Sequence, residues 1–132
     1  MSKSRILIVD DDRNFARLTA MTLERSTRYA VQVETRSAHA LESARVFRPD
    51  LILLDMNMPG KSGAEVLLEL KTNVELASTP VIFLSSLVNG FEESRHPLHQ
   101  RKVRHIAKTV DSTMLLRCVD EAMWENSITH LT

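Results

Sequence analysis

Short apolar runs alternate along the chain with segments whose apolar residues recur at helical spacing. Residues 5–10 (RILIVD) read as a buried strand. Phe15, Leu18, Thr19, Thr22 and Leu23 then share one helical face, with Asp12 in the N-cap position. Residues 30–34 (AVQVE) alternate as a strand does, and Ser37 is expected to cap a helix that carries Ala40, Leu41, Ala44 and Phe47 and stops at Pro49. Residues 51–55 (LILLD) form the third strand, and Val66, Leu67 and Leu70 mark a helix after Gly63. Pro80 opens a fourth strand at 81–85 (VIFLS), and residues 105–108 (HIAK) make a short fifth. Leu115, Cys118, Val119 and Ala122 define a last helix over residues 111–126. Between Ser86 and Arg104 a further helix is expected, made irregular by Asn89-Gly90 and Pro97.

Strands that are apolar throughout, alternating with helices, predict an α/β fold: a five-stranded parallel sheet, doubly wound, with helices on both faces. The chain of 132 residues is one domain's worth and long enough for a real core. No repeat or second domain is visible. Lys+Arg and Asp+Glu both total 17, so net charge selects no polyanionic partner. The single cysteine, Cys118, cannot form an internal disulfide, and its place on the apolar stripe of the last helix makes it a core residue. Uninterrupted apolar runs stop at four residues, against the ~20 a membrane-spanning helix needs, and the basic start MSKSR lacks a secretory core. The expected setting is cytoplasmic, with no membrane partner.

In parallel sheets of this kind ligands bind at the carboxyl ends of the strands. The first strand ends in Asp10-Asp11-Asp12, the third in Asp55, the fourth in Ser85-Ser86, and the fifth reaches Lys108. Taken singly, each has an ordinary role as cap, backbone partner or solvated charge. Together they put Asp10, Asp11 and Asp55 at one sheet edge. Two unit charges ~4 Å apart repel by ~4 kcal/mol at an effective dielectric of 20, so the cluster calls for a cation. Hard oxygen ligands that are few in number suit Mg²⁺, which keeps several waters and binds one or two carboxylates with a phosphate. A carboxylate beside such a metal can attack a phosphoryl group, with Lys108 neutralising the transferring oxygens and Ser85 able to hydrogen-bond one of them.

These residues resemble the receiver domain of bacterial two-component response regulators. ILIVDDD, LILLDMNMPGKSG, PVIFLSS and the lysine ending the fifth strand match its pattern in order and spacing, over about residues 4–125. The expected domain is 4–126, followed by a C-terminal tail at 127–132. The resemblance implies a flavodoxin-like sheet of order 2-1-3-4-5. It implies that Asp55 accepts a phosphoryl group from a histidine kinase phosphohistidine or a phosphotransfer protein. It also implies that Asp11 ligates Mg²⁺ directly, Asp10 acts through metal-bound water, and Asn57 offers its backbone carbonyl. Ser85 matches the hydroxyl switch residue and Lys108 the lysine that meets the phosphoryl group. Such a domain promotes its own phosphorylation and dephosphorylation without being a separate enzyme. Its output is protein–protein contact, expected on the face of the fifth strand and last helix.

The chain departs from the family pattern in three places. Thr109 stands where proline usually follows the lysine, and a cis bond before a non-proline residue costs ~2.5–4 kcal/mol, so either a trans peptide or a strained cis exception is expected there. His105 takes the aromatic switch position, where it is either a pH-sensitive switch or a plain strand residue. HPLHQRKVRH replaces the small residues that normally precede the fifth strand. The basic stretch Arg95, Arg101, Lys102, Arg104 and Lys108 reads as a solvated loop or a docking patch, and without a groove-reading helix or aromatic platform nucleic-acid binding is disfavoured. Trp124 and Met123 are either core edge or partner surface. Leu87, two residues past Ser85, predicts a long-lived phosphoryl state because it cannot orient a hydrolytic water. The departures motivate an alternative, a pseudo-receiver that binds partners without phosphorylation. A phosphatase is disfavoured because Asn57 stands where a general acid would be needed. A flavin module is disfavoured because DDDRN would repel an anionic cofactor.

Overall fold

The computed structural model describes residues 2–86, 91–95 and 102–131. Along the chain come β1 (Ser4–Val9), α1 (Arg13–Glu24), β2 (Tyr29–Glu34), a 3-10 turn (Ser37–His39), α2 (Ala40–Phe47), β3 (Leu51–Asp55), α3 (Gly63–Thr72), β4 (Val81–Ser85), β5 (Phe91–Arg95), β6 (Lys102–Ala107) and α4 (Ser112–Leu131). The sheet order is β2-β1-β3-β4-β6-β5. Its first five members pair in parallel, so the expected order 2-1-3-4-5 is present with β6 as the fifth parallel strand.

β5 corrects the expected irregular helix between the fourth and fifth parallel strands. Residues 91–95 instead run antiparallel to β6, from Phe91 opposite Ile106 to Arg95 opposite Lys102. So short a segment, bounded by Asn89-Gly90 and Pro97, offers few residues over which to repay the cost of nucleating a helix. Pairing with an existing strand satisfies its backbone directly. The ladder also carries β6 back to Lys102, where the sequence suggested a start at His105. Leu87, Asn89, Gly90, Pro97 and Arg101 lie outside the described residues.

Period-two alternation sorts the core into two layers. Ile6, Ile8, Leu51, Leu53, Ile82, Leu84 and Ile106 face Ala16, Ala20 and Leu23 of α1 and Leu115, Cys118, Val119 and Ala122 of α4. Leu7, Val9, Ile52, Leu54 and Phe83 face Ala40 and Ala44 of α2 and Val66, Leu67 and Leu70 of α3. Cys118 is therefore core, as its spacing suggests. Each large aliphatic side chain buried this way contributes about 1.5–3 kcal/mol. β3 is buried at every position, Asp55 included, which makes it the rigid centre of the sheet.

Local signals set the helix ends. Asp12 caps α1 by accepting from the Phe15 N–H at 3.0 Å. Ser62 and Glu65 form a reciprocal capping box at α3. α2 ends at Arg48, which takes a left-handed conformation just before Pro49. Ser37 does not cap α2. Its hydroxyl donates to the Pro59 carbonyl at 3.0 Å and accepts from the Lys61 N–H at 3.1 Å. Those two partners flank Gly60, whose φ of +83° needs a glycine, so Ser37 clasps the turn after β3. α4 continues to Leu131, beyond the expected end at Asn126, so 127–131 is helix.

Candidate functional site

Four chain segments meet at the carboxyl edge of the parallel strands. Asp10 directly follows β1, Asp55 is the last residue of β3, Ser85 the last of β4, and Lys108 directly follows β6. Asp10 is fully buried and Asp55 nearly so, while Asp11 is exposed at the mouth. One carboxylate oxygen from each of Asp10, Asp11 and Asp55 lies within 4.8 Å of the others. The Lys108 ammonium sits 2.8 Å from Asp10 Oδ2 and 3.4 Å from Asp55 Oδ1.

Backbone donors hold the carboxylates in place. Asp10 Oδ1 accepts from the Asp12 N–H at 2.9 Å, and Asp55 Oδ1 from the Asn57 N–H at 3.3 Å. Asp10 Oδ2 is buried, and the Lys108 ammonium is the partner that meets it at 2.8 Å. Asp10 thus brings a hard, buried carboxylate oxygen to the cluster. The residues fit a small divalent cation such as Mg²⁺: three carboxylates, all-oxygen, with one side open to water.

Electrostatics point the same way. Burial, and then the charge of Asp10, push Asp55 from its ordinary 3.8 up to about 6, against the pull of the Asn57 N–H and Lys108. Burial by itself would lower Lys108, but the hydrogen bond and charge of Asp10, followed by those of Asp55, outweigh it and hold the ammonium above its ordinary value. The pocket thus favours a fixed cation at Lys108 and resists ionisation of Asp55.

Of the two geometries open to the Lys108–Thr109 peptide, the structure has trans. The lysine still reaches both carboxylates. Its backbone N–H donates to the Ser85 carbonyl at 2.9 Å, which extends the β4–β6 ladder by one bond. Its ammonium also lies 4.8 Å from the centroid of the Phe15 ring. Phe15 reads from sequence only as a helical core position, and no local motif reveals that its ring meets Lys108. Gly63 is a second contribution that spacing does not reveal. A Cβ there would run into the Asp55 carbonyl oxygen and lie 2.8 Å from Met56 Cα, so α3 starts directly against the backbone of Asp55 and Met56.

Ser85 is buried and lies on the Phe83 face of β4, opposite Ala107 of β6. His105 stands beside Phe83 in register, and its ring stacks on that phenyl with centroids 5.3 Å apart. Ser85, Phe83 and His105 therefore share one sheet face, while the acidic cluster continues the other. On β6 and α4, Arg104 pairs with Glu125, and Trp124 is 67% exposed. Trp124 is thus surface rather than core edge, and Met123 packs partly against the core. Among the described residues no helix is long and apolar enough to cross a membrane.

A family model described as response regulator receiver domain matches residues 6–120. The chain is 36% identical over 97 residues to the transcriptional regulatory protein ResD of Bacillus subtilis (strain 168), covering 69% of this chain and 39% of that protein. It is 39% identical over 91 residues to the phosphate regulon transcriptional regulatory protein PhoB of Pseudomonas aeruginosa, covering 68% and 38%. The chain thus spans about two fifths of the length of these relatives. Among solved structures it superposes on a CheY-like receiver domain protein from Methanospirillum hungatei with a TM-score of 0.80 at 22% identity, covering 97% of this chain and 99% of that one. It also superposes on the chemotaxis protein CheY4 of Vibrio cholerae with a TM-score of 0.76 at 21% identity, covering 91% and 98%.

Proposed function

Because the chain belongs to the response regulator receiver domain family, we propose that it is a signalling switch that takes a phosphoryl group onto Asp55 from the phosphohistidine of a histidine kinase or phosphotransfer protein. The observation that carries this reading is Lys108, whose ammonium lies 2.8 Å and 3.4 Å from two buried carboxylates despite the missing proline.

The step moves one phosphoryl group. An oxygen of the Asp55 carboxylate forms the new O–P bond as the histidine N–P bond breaks, and the imidazole leaves with the bonding pair and takes a proton from solvent. Mg²⁺, when bound, supplies charge neutralisation at the phosphoryl oxygens. Asp11 and the backbone carbonyl of Asn57 would hold it directly, Asp10 through water and Asp55 through its second oxygen. Lys108 meets the transferring oxygens with a fixed positive charge. Ser85 then donates its hydroxyl to the phosphoryl group and is drawn toward it. Phe83 and His105, on the same face of the sheet, repack in response, which biases an existing equilibrium at the output surface. The same pocket promotes the later hydrolysis of the aspartyl phosphate.

The output surface in this reading is the face of β6 and α4, with exposed Trp124 as an anchor for a downstream protein. The relatives are named as transcriptional regulators, yet nothing among the described residues of this chain reads a groove, so its own contacts are with protein. Exchange with a histidine kinase puts the protein in the cytoplasm. A second reading, a pseudo-receiver that engages partners without phosphorylation, is favoured by β5, which puts an edge strand beside the output face.

The two readings separate in one experiment. The folded protein is incubated with Mg²⁺ and acetyl phosphate, and its intact mass is measured. One added phosphoryl group, absent in Asp55→Asn, is expected. No adduct on the folded parent protein overturns the switch and leaves the pseudo-receiver.

A further inference from the structure

Lys108 is followed by Thr109, so no proline stiffens the chain behind it. A lysine side chain has four rotatable carbons and loses considerable freedom when fixed. Something other than the local backbone must hold it over the pocket. Four contacts close into a ring around it. The Asp12 N–H donates to Asp10 Oδ1 at 2.9 Å, and the Phe15 N–H donates to Asp12 Oδ1 at 3.0 Å. The Phe15 ring centroid lies 4.8 Å from Lys108 Nζ, and Nζ lies 2.8 Å from Asp10 Oδ2. The Phe15 ring packs against the α1/α4 core layer, so the core fixes the ring and the ring can fix the lysine.

We infer that Phe15 is the positioning residue for Lys108, its ring face holding the ammonium where an incoming phosphoryl oxygen would meet it. An ammonium within about 6 Å of a ring centroid is attracted by the ring quadrupole, most strongly where water is scarce. The Lys108 side chain is 19% exposed. The chemistry of the partner matters as much as its position. Another carboxylate would hold the lysine but repel the phosphoryl group. A ring face holds the cation while carrying no net charge. Because Asp12 ties the Phe15 backbone to the loop bearing Asp10, acidic loop and lysine are positioned as one unit.

This inference rests on the phosphoacceptor reading, and its test separates the two. Phe15→Leu keeps the apolar character and removes the ring, while Phe15→Tyr keeps both. In proton NMR spectra the Lys108 Cε methylene should be shifted upfield by the ring in the parent and in Phe15→Tyr, and that shift should vanish in Phe15→Leu. At saturating Mg²⁺ the rate of acetyl phosphate uptake should fall about tenfold in Phe15→Leu and recover in Phe15→Tyr, as expected for loss of one desolvated cation–ring contact. Mg²⁺ affinity should stay within about twofold, since every proposed ligand is retained. A leucine variant phosphorylated at the parent rate overturns the inference, as does a parent spectrum without the upfield shift or a tyrosine variant that restores neither readout. A parent that takes up no phosphoryl group overturns the underlying reading instead, while the methylene shift in the same sample still decides whether Phe15 holds Lys108.

Discussion

Replacing Asp55, the proposed phosphoacceptor, with its neutral isostere asparagine should make the metal-free protein more stable. Asp55 is 4% exposed, and burial together with Asp10 raises it from 3.8 to about 6. A carboxylate whose pKa is raised on folding destabilises the fold once it is ionised. At about 1.4 kcal/mol per pH unit, that rise corresponds to roughly 3 kcal/mol, and water at the open edge of the pocket reduces the expected effect to about 2 kcal/mol. An asparagine at this position keeps the shape, and its side-chain oxygen can still accept from the Asn57 N–H. The sign with pH follows. Below about pH 4 the carboxyl is protonated in both folded and unfolded chains, so the parent suffers no penalty. As pH rises through about 6 the parent loses this stability and the variant does not. Urea unfolding in EDTA should therefore show Asp55→Asn ahead by about 2 kcal/mol at pH 7.5, or about 7 °C in Tm in a thermal melt, with little difference near pH 4. Saturating Mg²⁺ should close the gap, because a cation bound to the folded parent adds stability by mass action. A variant equal to or weaker than the parent at pH 7.5 in EDTA would refute the electrostatic account of the pocket.

Three further changes probe the scaffold. Ser37→Ala removes the clasp on the turn after β3 and leaves the Pro59 carbonyl and Lys61 N–H without their partner; it should cost about 2 kcal/mol in urea melts and weaken Mg²⁺ binding severalfold by calorimetry, whereas unchanged metal affinity would confine Ser37 to stability. Gly63→Ala drives a Cβ into the backbone beneath Asp55 and should cost about 3 kcal/mol or more, with an undiminished Tm counting against the close packing described. Tyr29 is the only tyrosine, so its phenol can be titrated by absorbance; burial and then the bond to Asp120 push it up to about 12, and in Asp120→Ala it should fall while staying above the ordinary value of 10, because the burial remains.

The parallel sheet was readable because its strands advertise themselves locally. LILLD is apolar, short and bounded by turn residues, and the structure begins and ends β3 at Leu51 and Asp55. The site was readable for a related reason: once strand direction is known, the residues that end the strands must gather at one edge. What stayed hidden depends on distant partners. Phe91–Arg95 has no strand signal of its own and is a strand because β6 lies beside it. A serine before an apolar helical stripe signals a cap, yet Ser37 finds better acceptor and donor groups across the gap to the turn at Gly60. Phe15 fits the core face of α1 equally well whether or not Lys108 comes to rest on its ring. α4 outruns its expected end although Ile128 and Thr129 are mediocre helix formers, a weak preference that the preceding turns override.

β6 is bonded on both flanks, to β4 from Arg104 to Ala107 and to β5 from Lys102 to Ile106. In a sheet of five parallel strands it would be the rim, with one side free. A strand held from two sides, in opposite directions, cannot slide along its axis without breaking both sets of bonds together. The degrees of freedom left to His105, paired on both sides, are then torsional. On the proposed reading, a signal crossing this end of the molecule would be written in side-chain rotamers, against a backbone that keeps its register.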